Sequence, residues 1–511
     1  MQSFLDRRNF IRLCSAAAAF MTRAGNSQAP PSRRGARAAV QSRKNFVAIQ
    51  VRGFGWVDEG VDAVLDNIQH KGDVNTVWAY TFVYGETRLS ATLPDHGKSG
   101  KSVTGGALYD YDPKYFQDTI LKDFRSSEYG KFNVIEEAGP KAKARGLDFF
   151  AWDLNNAGAE LPRLIPNYSK VTEIDLNGRR TVAPCFNHPD YQAFLRGKVE
   201  SLLLGYPDLI DGIAWGSERE GPLDGMLTGG GTGLCFCQFC QAKGRELGIS
   251  VARAQTGFRE LGRLFSATAA EARPADGYFV SFWRILLKYP EILSWESLWV
   301  DSFQGVQADL YGLAKSIAPQ KPFGFHIMQS VTFSPFYRAE EDYAKRRTTA
   351  DFLKIATYNN AGGPRLATYL NGLSRGIFHD AKPEEFLQLY YKIMNYQEAP
   401  FDQLAASGLS PDYVAKETQR ALAGVAGEVK IYPGIDINVP TLSRDPKVTD
   451  KTTKPEDISA ALRAAFGAGA DGVVLSREYV EMYLANLTAA GDTLRDIFSK
   501  SNPPAAVPGS K

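Results

Sequence analysis

Four cysteines of this chain have the spacing expected of the ligands of a metal ion. Cys235, Cys237 and Cys240 lie within six residues in the run Leu-Cys-Phe-Cys-Gln-Phe-Cys, and Cys185 precedes them. Four thiolates match the tetrahedral preference of Zn²⁺, with Zn–S distances near ~2.3 Å, and they leave no open coordination position. The spacing therefore predicts a structural zinc site. A disulfide with two spare thiols is the alternative. The fifth cysteine, Cys14, lies in a predicted leader.

Carboxylates follow several of the short apolar segments that we predict to be strands. Glu218 follows the fourth segment and Asp436 follows the seventh. Strands four and seven of a closed barrel lie on opposite sides of its mouth, so the two carboxylates can flank one bound bond. Such a pair suits glycoside hydrolysis, with Glu218 as acid/base and Asp436 as nucleophile or base. Alternatively, Glu218 pairs with Arg219 or another loop arginine, and Asp436 braces neighbouring loops.

Other polar and aromatic residues at the predicted strand ends are candidates for substrate binding, although each is also compatible with a purely structural role. Two more glutamates, Glu220 and Glu478, are fallback catalytic carboxylates. The substrate-binding candidates are Trp56, Tyr80, Trp152, Asp153, His326, Asn359, Asn438 and Arg477.

These candidates depend on a regular alternation of short apolar segments and amphipathic helices. Eight such segments predict an α/β fold, a (β/α)₈ TIM barrel with long insertions after several strands. A doubly wound sheet is the alternative, but no Gly-x-Gly-x-x-Gly turn follows the first segment. The predicted strands are Phe46–Val51, Val74–Val83, Leu147–Trp152, Leu209–Trp215, Pro322–Ile327, Phe352–Tyr358, Val429–Ile435 and Gly472–Leu475. The predicted helices include Val61–Gln69, Val134–Ala144, Tyr191–Leu204, Ile458–Phe466 and Tyr479–Ala490.

The N-terminus has the pattern of an export signal. Paired arginines, Arg7 and Arg8, precede Phe10 and a short alanine-rich apolar stretch, as in twin-arginine signals. We therefore predict a signal peptide over 1–29, a linker over 30–43, the barrel over 44–500 and a disordered tail over 501–511. The expected partner is the twin-arginine export machinery, and the expected location is periplasmic or secreted. A disordered basic tail is the alternative.

Composition narrows the classes of function. The chain has 511 residues, 44% of them hydrophobic, and a formal net charge of +2. These values are ordinary for a soluble globular protein, and no stripe of lysine and arginine points to nucleic acid. The apolar stretch of the leader is too short to span a bilayer, which takes ~20 residues. Oligomeric state and sugar specificity are left open.

The order of the motifs resembles the zinc-bearing β-galactosidases of glycoside hydrolase family 42. Pro184-Cys185-Phe186-Asn187-His188-Pro189-Asp190-Tyr191 opens a helix, a strand ending in Glu218 follows, and then comes Cys235-Phe236-Cys237-Gln238-Phe239-Cys240. The match covers roughly residues 147–245. The resemblance implies that the four cysteines bind zinc and that Glu218 is the proton donor.

This chain departs from that family's pattern at two positions. Ser217 stands where an asparagine precedes the family's acid/base glutamate, and Asp436 stands where strand seven carries a glutamate. The shorter aspartate leaves retention, inversion or lost catalysis open, because the carboxylate separation decides the outcome. The sequence therefore predicts an exported glycoside hydrolase acting on an oligo- or polysaccharide. The alternatives are an inactive carbohydrate-binding barrel and another barrel hydrolase or lyase that uses His326.

Overall fold

The structure is a computed structural model that describes residues 45–85, 105–228, 231–269, 273–441 and 451–501. The predicted signal peptide, the predicted linker and the predicted tail after Ser501 lie outside these residues. No helix among the described residues has the length and apolar character needed to cross a bilayer.

Eight parallel strands form a closed barrel. Each strand pairs with the next along the chain, and the last pairs with the first through the register Phe46–Gly472 to Ile49–Leu475. The sheet therefore closes into the predicted (β/α)₈ barrel, and its carboxyl ends meet at one rim. The strands are β1 (Phe46–Val51), β2 (Thr76–Val83), β3 (Asp148–Leu154), β4 (Gly212–Gly216), β5 (Phe323–Ile327), β6 (Phe352–Ala356), β7 (Lys430–Asp436) and β8 (Gly472–Ser476).

Each strand falls within a few residues of its predicted segment, because nearly all strand positions are buried between the barrel interior and the helices. Aromatic rings fill the interior. Trp78 on β2 lies 5.5 Å from Trp152 on β3 and 5.7 Å from Phe352 on β6, measured between ring centroids. These large side chains make the interior a packed core.

Helices surround the barrel and occupy its long loops. A π-helical turn, Asn67–Lys71, follows the second helix, so the predicted helix 61–69 changes type near its end. The α-helices are α1 (Gly53–Glu59), α2 (Val61–Asp66), α3 (Val134–Ala144), α4 (Leu161–Leu164), α5 (Pro189–Gly205), α6 (Asp224–Leu227), α7 (Gln238–Glu246), α8 (Val251–Ala269), α9 (Tyr278–Lys288), α10 (Glu291–Ile317), α11 (Ser330–Phe333), α12 (Pro335–Glu340), α13 (Asn359–Arg375), α14 (Pro383–Met394), α15 (Phe401–Ser407), α16 (Pro411–Val425), α17 (Pro455–Gly467) and α18 (Leu484–Ser501).

The predicted helix 479–490 is wrong in its start. Tyr479–Glu481 forms a separate 3₁₀ turn, and α18 begins at Leu484. The backbone N–H of Tyr483 donates to the side chain of Asn438 at 3.0 Å, so the loop after β7 takes a donor that a continuous helix would use internally.

The loop after β3 contains an antiparallel hairpin that the sequence did not predict. Its strands are Thr172–Ile174 and Arg180–Pro184, and Cys185 follows the second directly. The hairpin lies at the start of the segment that carries the first cysteine. The loop after β4 is the longest, and it contains α6 to α10. Together these two loops carry Glu218 and the four cysteines.

Candidate functional site

Glu218 is an accessible carboxylate at the carboxyl end of the barrel. It lies two residues beyond β4, and 42% of its side chain is exposed. By contrast, Asp153, Asp436 and Glu478, which follow or end three other strands, are at most 2% exposed as residues. Glu218 is thus the carboxylate of this group that a substrate in the barrel mouth can reach directly.

Both carboxylate oxygens of Glu218 have a partner on a neighbouring strand or loop. His326 Nε2 on β5 lies 2.8 Å from Oε1, and the side-chain amide of Asn156, after β3, donates to Oε2 at 3.1 Å. Asn156 also accepts from the backbone N–H of Glu218 through its Oδ1. Three consecutive strands of the barrel therefore fix one carboxylate.

The surroundings of Glu218 favour its ionised form. Burial raises the pKa of Glu218, but the His326 hydrogen bond and the positive charges of His326, Arg365 and Lys354 outweigh it and hold the pKa below the usual value. Burial also lowers the pKa of His326, with a further contribution from Lys354. Nε2–H of His326 can donate to the ionised Glu218 whether the ring is neutral or protonated, and a carboxylate can only accept.

Lys354 lies on β6 at the position paired with His326 on β5. It is 1% exposed, and its Nζ donates to Gln50 Oε1 on β1 at 3.2 Å and to the hydroxyl of Tyr358. Burial lowers the pKa of Lys354 to about 7, although the charge of Glu218 works in the opposite direction. Lys354 is therefore poised between its neutral and charged forms near neutral pH.

Asp436 ends β7, as predicted, but its carboxylate is engaged by backbone groups. Oδ2 accepts from the N–H of Ala361 at 2.9 Å, and Oδ1 accepts from the N–H of Val439 at 2.8 Å and from the hydroxyl of Thr453 at 3.4 Å. The residue is 0% exposed, and burial raises its pKa to about 6. These contacts match the bracing alternative, in which Asp436 joins the loop after β7 to the start of α13.

The other strand-end acids also have local partners. Asp153 forms a buried ion pair with Lys198 on α5 at 2.8 Å, and Glu478 lies 3.3 Å from Arg52 in a pair that is almost fully buried. Glu220 is exposed as a residue, but partial desolvation of its carboxylate by the surrounding protein raises its pKa, against the lowering effect of a hydrogen bond with Tyr337. Of the two fallback glutamates, Glu220 is the accessible one.

Three aromatic candidates for substrate binding lie in the core. Trp56, Tyr80 and Trp152 are each 1% exposed. Trp152 packs edge-on against His326, with ring centroids 5.8 Å apart, and Tyr80 packs edge-on against Trp152. Tyr80 and Trp152 therefore support His326 from below.

The remaining polar candidates are joined to nearby protein groups. Arg477 pairs with Glu481, and Asn438 accepts from Tyr483 and Asn486. Asn359 begins α13 and is 3% exposed, and its amide donates to Asn360 at 3.3 Å. The structure brings Glu218, His326 and Trp152 together and gives Asn438 and Arg477 contacts with the loops after β7 and β8.

Sequence reasoning missed three residues near Glu218. Asn156 follows a predicted strand end by a few positions, and that position could have identified it. Lys354 interrupts an otherwise apolar strand segment, Phe352–Ala356, where a charged residue is a clear signal. Arg365 lies within α13 and donates to Gln329 at 2.8 Å. Its proximity to the mouth depends on tertiary structure, so the sequence offered no signal for it.

The four predicted metal ligands come together. All four cysteines are buried and free of disulfides, and their sulfur atoms lie within 4.8 Å of one another. Cys185 Sγ is 3.4 Å from Cys240 Sγ and 3.6 Å from Cys237 Sγ. A tetrahedral ion with bonds of ~2.3 Å would separate its sulfur ligands by roughly 3.8 Å, so the cluster could bind a metal.

Polar groups around the sulfurs orient the cluster. The backbone N–H of Ile174 in the hairpin approaches Cys235 Sγ at 3.4 Å, and the amide of Asn187 approaches Cys240 Sγ at 3.3 Å. Such N–H donors stabilise thiolates and fix their geometry.

Arg219 connects this cluster with Glu218. Its guanidinium forms a buried ion pair with Glu173 in the hairpin at 2.6 Å, donates to the carbonyl of Pro184 and stacks over Phe186. Pro184 directly precedes Cys185, and Arg219 directly follows Glu218. The hairpin, the cysteine cluster and the loop that carries Glu218 therefore form one connected structure.

Comparison with known proteins supports the fold class. No protein-family model matches the sequence, and no curated protein matches it either. Among solved structures, the chain is similar to a β-galactosidase from the psychrophilic Marinomonas ef1, with a TM-score of 0.52 and 12% identity over 89% of this chain and 60% of that one. It is also similar to a cold-adapted β-galactosidase from Rahnella sp. R3, with a TM-score of 0.50 and 14% identity over 91% of this chain and 57% of that one.

These matches support the (β/α)₈ barrel as the fold of this chain. The chain spans only about three fifths of the length of the solved β-galactosidases that it resembles. At 12% and 14% identity, the likeness to these two enzymes is one of fold.

Proposed function

We propose that this protein is a glycoside hydrolase in which Glu218 contacts the scissile glycosidic bond. The observation that carries the proposal is that Glu218 is half-exposed at the carboxyl end of β4 while both its oxygens are held by neighbouring strands. A carboxylate fixed in orientation and open to the barrel mouth is the group that glycosidic-bond cleavage requires.

The protonation state of Glu218 suits a nucleophile or a general base before substrate binds, because its pKa is lowered. The role of proton donor, which the family resemblance implies, needs a higher pKa. A bound sugar would supply it by excluding water from the exposed half of the side chain, since burial is the influence that raises this pKa. Asp436 remains the predicted second carboxylate, and Glu220 is the accessible alternative.

The test is turnover by a Glu218→Gln variant on a panel of aryl glycosides, oligosaccharides and polysaccharides. Activity should fall by at least ~100-fold, because general acid–base catalysis alone contributes about that factor. Glu136→Gln, an exposed glutamate on α3, is the matched control and should retain full activity. Equal rates for both variants on a substrate that the wild type cleaves would refute the proposal.

A second candidate function is a carbohydrate-binding barrel without catalysis. The observation that favours it is the burial of Asp436 and Glu478, each 0% exposed and each held by protein groups. Under this function, calorimetry would detect binding of a glycan from the same panel, and long incubation would yield no product. Cleavage of any bound glycan would exclude it.

The metal is proposed to be zinc. Four sulfur ligands without oxygen or nitrogen donors favour Zn²⁺ over hard cations, and the filled coordination makes the site structural. Elemental analysis of purified protein should give one zinc per chain, and Cys240→Ser should lower that value. Retention of one zinc in the variant would contradict the assignment.

Export through the twin-arginine machinery, with a periplasmic or secreted location, is likewise proposed. It is supported by the Arg7-Arg8 pair before Phe10 and by the buried thiol cluster, which can be filled with metal in the cytoplasm before a folded protein is exported. Replacing both arginines with lysine should leave the protein in the cytoplasmic fraction. Normal export of that variant would exclude this route.

A further inference from the structure

Three carboxylates from separate elements converge in the long loops beside β4 and β5. Asp224 begins α6, Glu296 lies in α10, and Glu340 ends α12. One oxygen of each lies within 4.8 Å of an oxygen of the other two. The sequence analysis did not identify this cluster, because its members are far apart in the chain.

Two of the three carboxylates are buried, and none has a counter-charge among the described residues. Asp224 and Glu296 are each 6% exposed, Glu340 is half-buried, and Asp224 Oδ2 and Glu296 Oε1 accept no hydrogen bond. Within the described ranges, no lysine, arginine or histidine forms an ion pair with any of the three carboxylates. Burying several like charges without a counter-charge is strongly unfavourable, so the site requires either a cation or shared protons.

The backbone before α6 fixes the carboxylate of Glu296. The N–H of Leu223 donates to Glu296 Oε2 at 2.5 Å. Gly221 faces the other oxygen, and a Cβ at this position would lie 1.8 Å from Glu296 Oε1. Only glycine leaves room for the carboxylate here. The turn before α6 is therefore shaped around the unpartnered oxygen.

We propose that Asp224, Glu296 and Glu340 bind a calcium ion. Carboxylate oxygens without nitrogen or sulfur ligands suit a hard cation. Ca²⁺ accepts many oxygen ligands in flexible geometry, whereas Mg²⁺ retains several waters and demands a strict octahedron. A buried group of protein carboxylates drawn from three elements fits the first description better.

The ion would join the segment after Glu218 to two helices of the outer layer. Asp224 lies six residues beyond Glu218, while Glu296 and Glu340 belong to elements before and after β5. The cation would neutralise the cluster and fix the loop at the barrel mouth. It is separate from the cysteine cluster, and the proposal stands whether or not the protein cleaves glycosides.

The test uses the full-length protein, dialysed into metal-free buffer and titrated with CaCl₂. Calorimetry should detect one calcium site per chain, and the melting temperature should rise by several degrees at saturation because the ion binds only the folded state. Zinc content, measured on the same samples, verifies that dialysis left the cysteine site unchanged.

The variant Asp224→Asn/Glu296→Gln keeps the shape of the site and removes two charges. It should lose the calorimetric signal and the calcium-dependent rise in melting temperature. Glu291→Gln is the matched control, because Glu291 lies on the same helix and pairs with Arg253 at 2.6 Å outside the cluster. It should bind calcium as the wild type does.

Two outcomes would overturn the proposal. Wild-type protein that shows no calcium binding and no change in melting temperature would mean that the carboxyl groups share protons instead; burial raises the pKa of Asp224 to about 9 and of Glu340 to about 7. An equal shift with MgCl₂ at the same concentration would mean that the site does not select calcium. The wild-type titration decides the matter even if the double variant fails to fold.

Discussion

At the scale of single residues, Glu218 owes its properties to groups on neighbouring strands. His326 contributes both the hydrogen bond at 2.8 Å and part of the positive potential that lowers the pKa of Glu218. The carboxylate is therefore ionised in the free protein, and its orientation is set by His326 and Asn156 together. His326 therefore positions the carboxylate of Glu218.

Replacing His326 with alanine should raise the pKa of Glu218, because the donor and its charge are removed while burial remains. If Glu218 acts as base or nucleophile, the acidic limb of the pH–kcat/KM profile should move to higher pH. His379→Ala is the control and should leave the limb in place, because the ring of His379 contacts the carbonyl of Ser374 and the ring of Tyr278, away from Glu218. An unmoved limb in His326→Ala would mean that His326 does not set this pKa.

Replacing Asp436 with asparagine distinguishes bracing from catalysis. Asparagine has an NH₂ group in place of one carboxylate oxygen, and this group cannot accept a hydrogen bond. One of the two backbone N–H donors, that of Ala361 or that of Val439, therefore loses its partner. We expect the free energy of unfolding to fall by about 1–3 kcal/mol in urea denaturation. Asp402→Asn, at an exposed position in α15, should change it little. Unchanged stability together with lost turnover would instead support Asp436 as the nucleophile.

The sequence predicted Glu218 because position at a strand end depends only on the local pattern. It also identified His326 and Trp152 as candidates; these two rings pack together, and His326 contacts Glu218. Asn156 was identifiable from its position after a strand end, but Arg365 was not, because its place near Glu218 depends on how a helix packs in the folded chain. The contacts of Asp436 could not be predicted either, because its donors are backbone N–H groups: that of Ala361 near the start of a helix and that of Val439 in a loop.

At the scale of elements, the hairpin 172–184 joins the cysteine cluster to the loop of Glu218. Alternation of apolar residues is weak in this short segment, so its strands were missed, whereas the cysteine spacing identified the cluster itself. The connection runs through Arg219 and Glu173, which are 6% and 1% exposed as side chains. Trp299 also donates to Glu173, at 3.3 Å.

Breaking this buried ion pair should destabilise the protein more than breaking an exposed one. Arg219→Met and Glu173→Gln should each lower the free energy of unfolding by about 3–5 kcal/mol, because each leaves a buried charge or donor without its partner. The double variant should lose less than the sum in a double-mutant cycle measured with urea.

The hairpin supplies its own control in Arg179, whose ion pair with Asp175 is 67% exposed on the arginine side. Arg179→Met should cost no more than about 1 kcal/mol, because the Asp175 carboxylate, although 5% exposed, keeps the backbone N–H groups of Asn177 and Arg179 as donors. A coupling energy near zero between Arg219 and Glu173 would mean that the hairpin does not support the Glu218 loop.

For the molecule as a whole, the barrel could be predicted because each of its eight buried strands is a short apolar segment in the sequence. The interior, however, also contains a hydrogen bond between two polar side chains, which the pattern of apolar residues did not predict. Lys354 on β6 reaches Gln50 on β1 across the barrel, with 3.2 Å between Nζ and Oε1. Burial opposes the charged form of Lys354 and lowers its pKa to about 7.

The buried lysine should make stability rise with pH. Its pKa in the folded protein, about 7, lies below the ordinary value of 10.5, so the unfolded state binds more protons between these values. The penalty for burying the charge is complete below pH ~7 and disappears as the pH approaches ~10. Lys354→Met removes the penalty at every pH. The variant should therefore gain stability relative to the wild type at pH ~6.5, on the order of a few kcal/mol at most, and lose that advantage by pH ~9.5.

Urea midpoints at the two pH values measure this difference. Lys430→Met is the control, because Lys430 lies on the adjacent strand β7 but is 44% exposed and pairs with Asp471 at 2.7 Å. Its effect on stability should be similar at both pH values. If Lys354→Met gave the same difference from wild type at both, the lysine would be charged throughout this range. The barrel interior beneath Glu218 would then carry a permanent positive charge, which a substrate or a second carboxylate must balance.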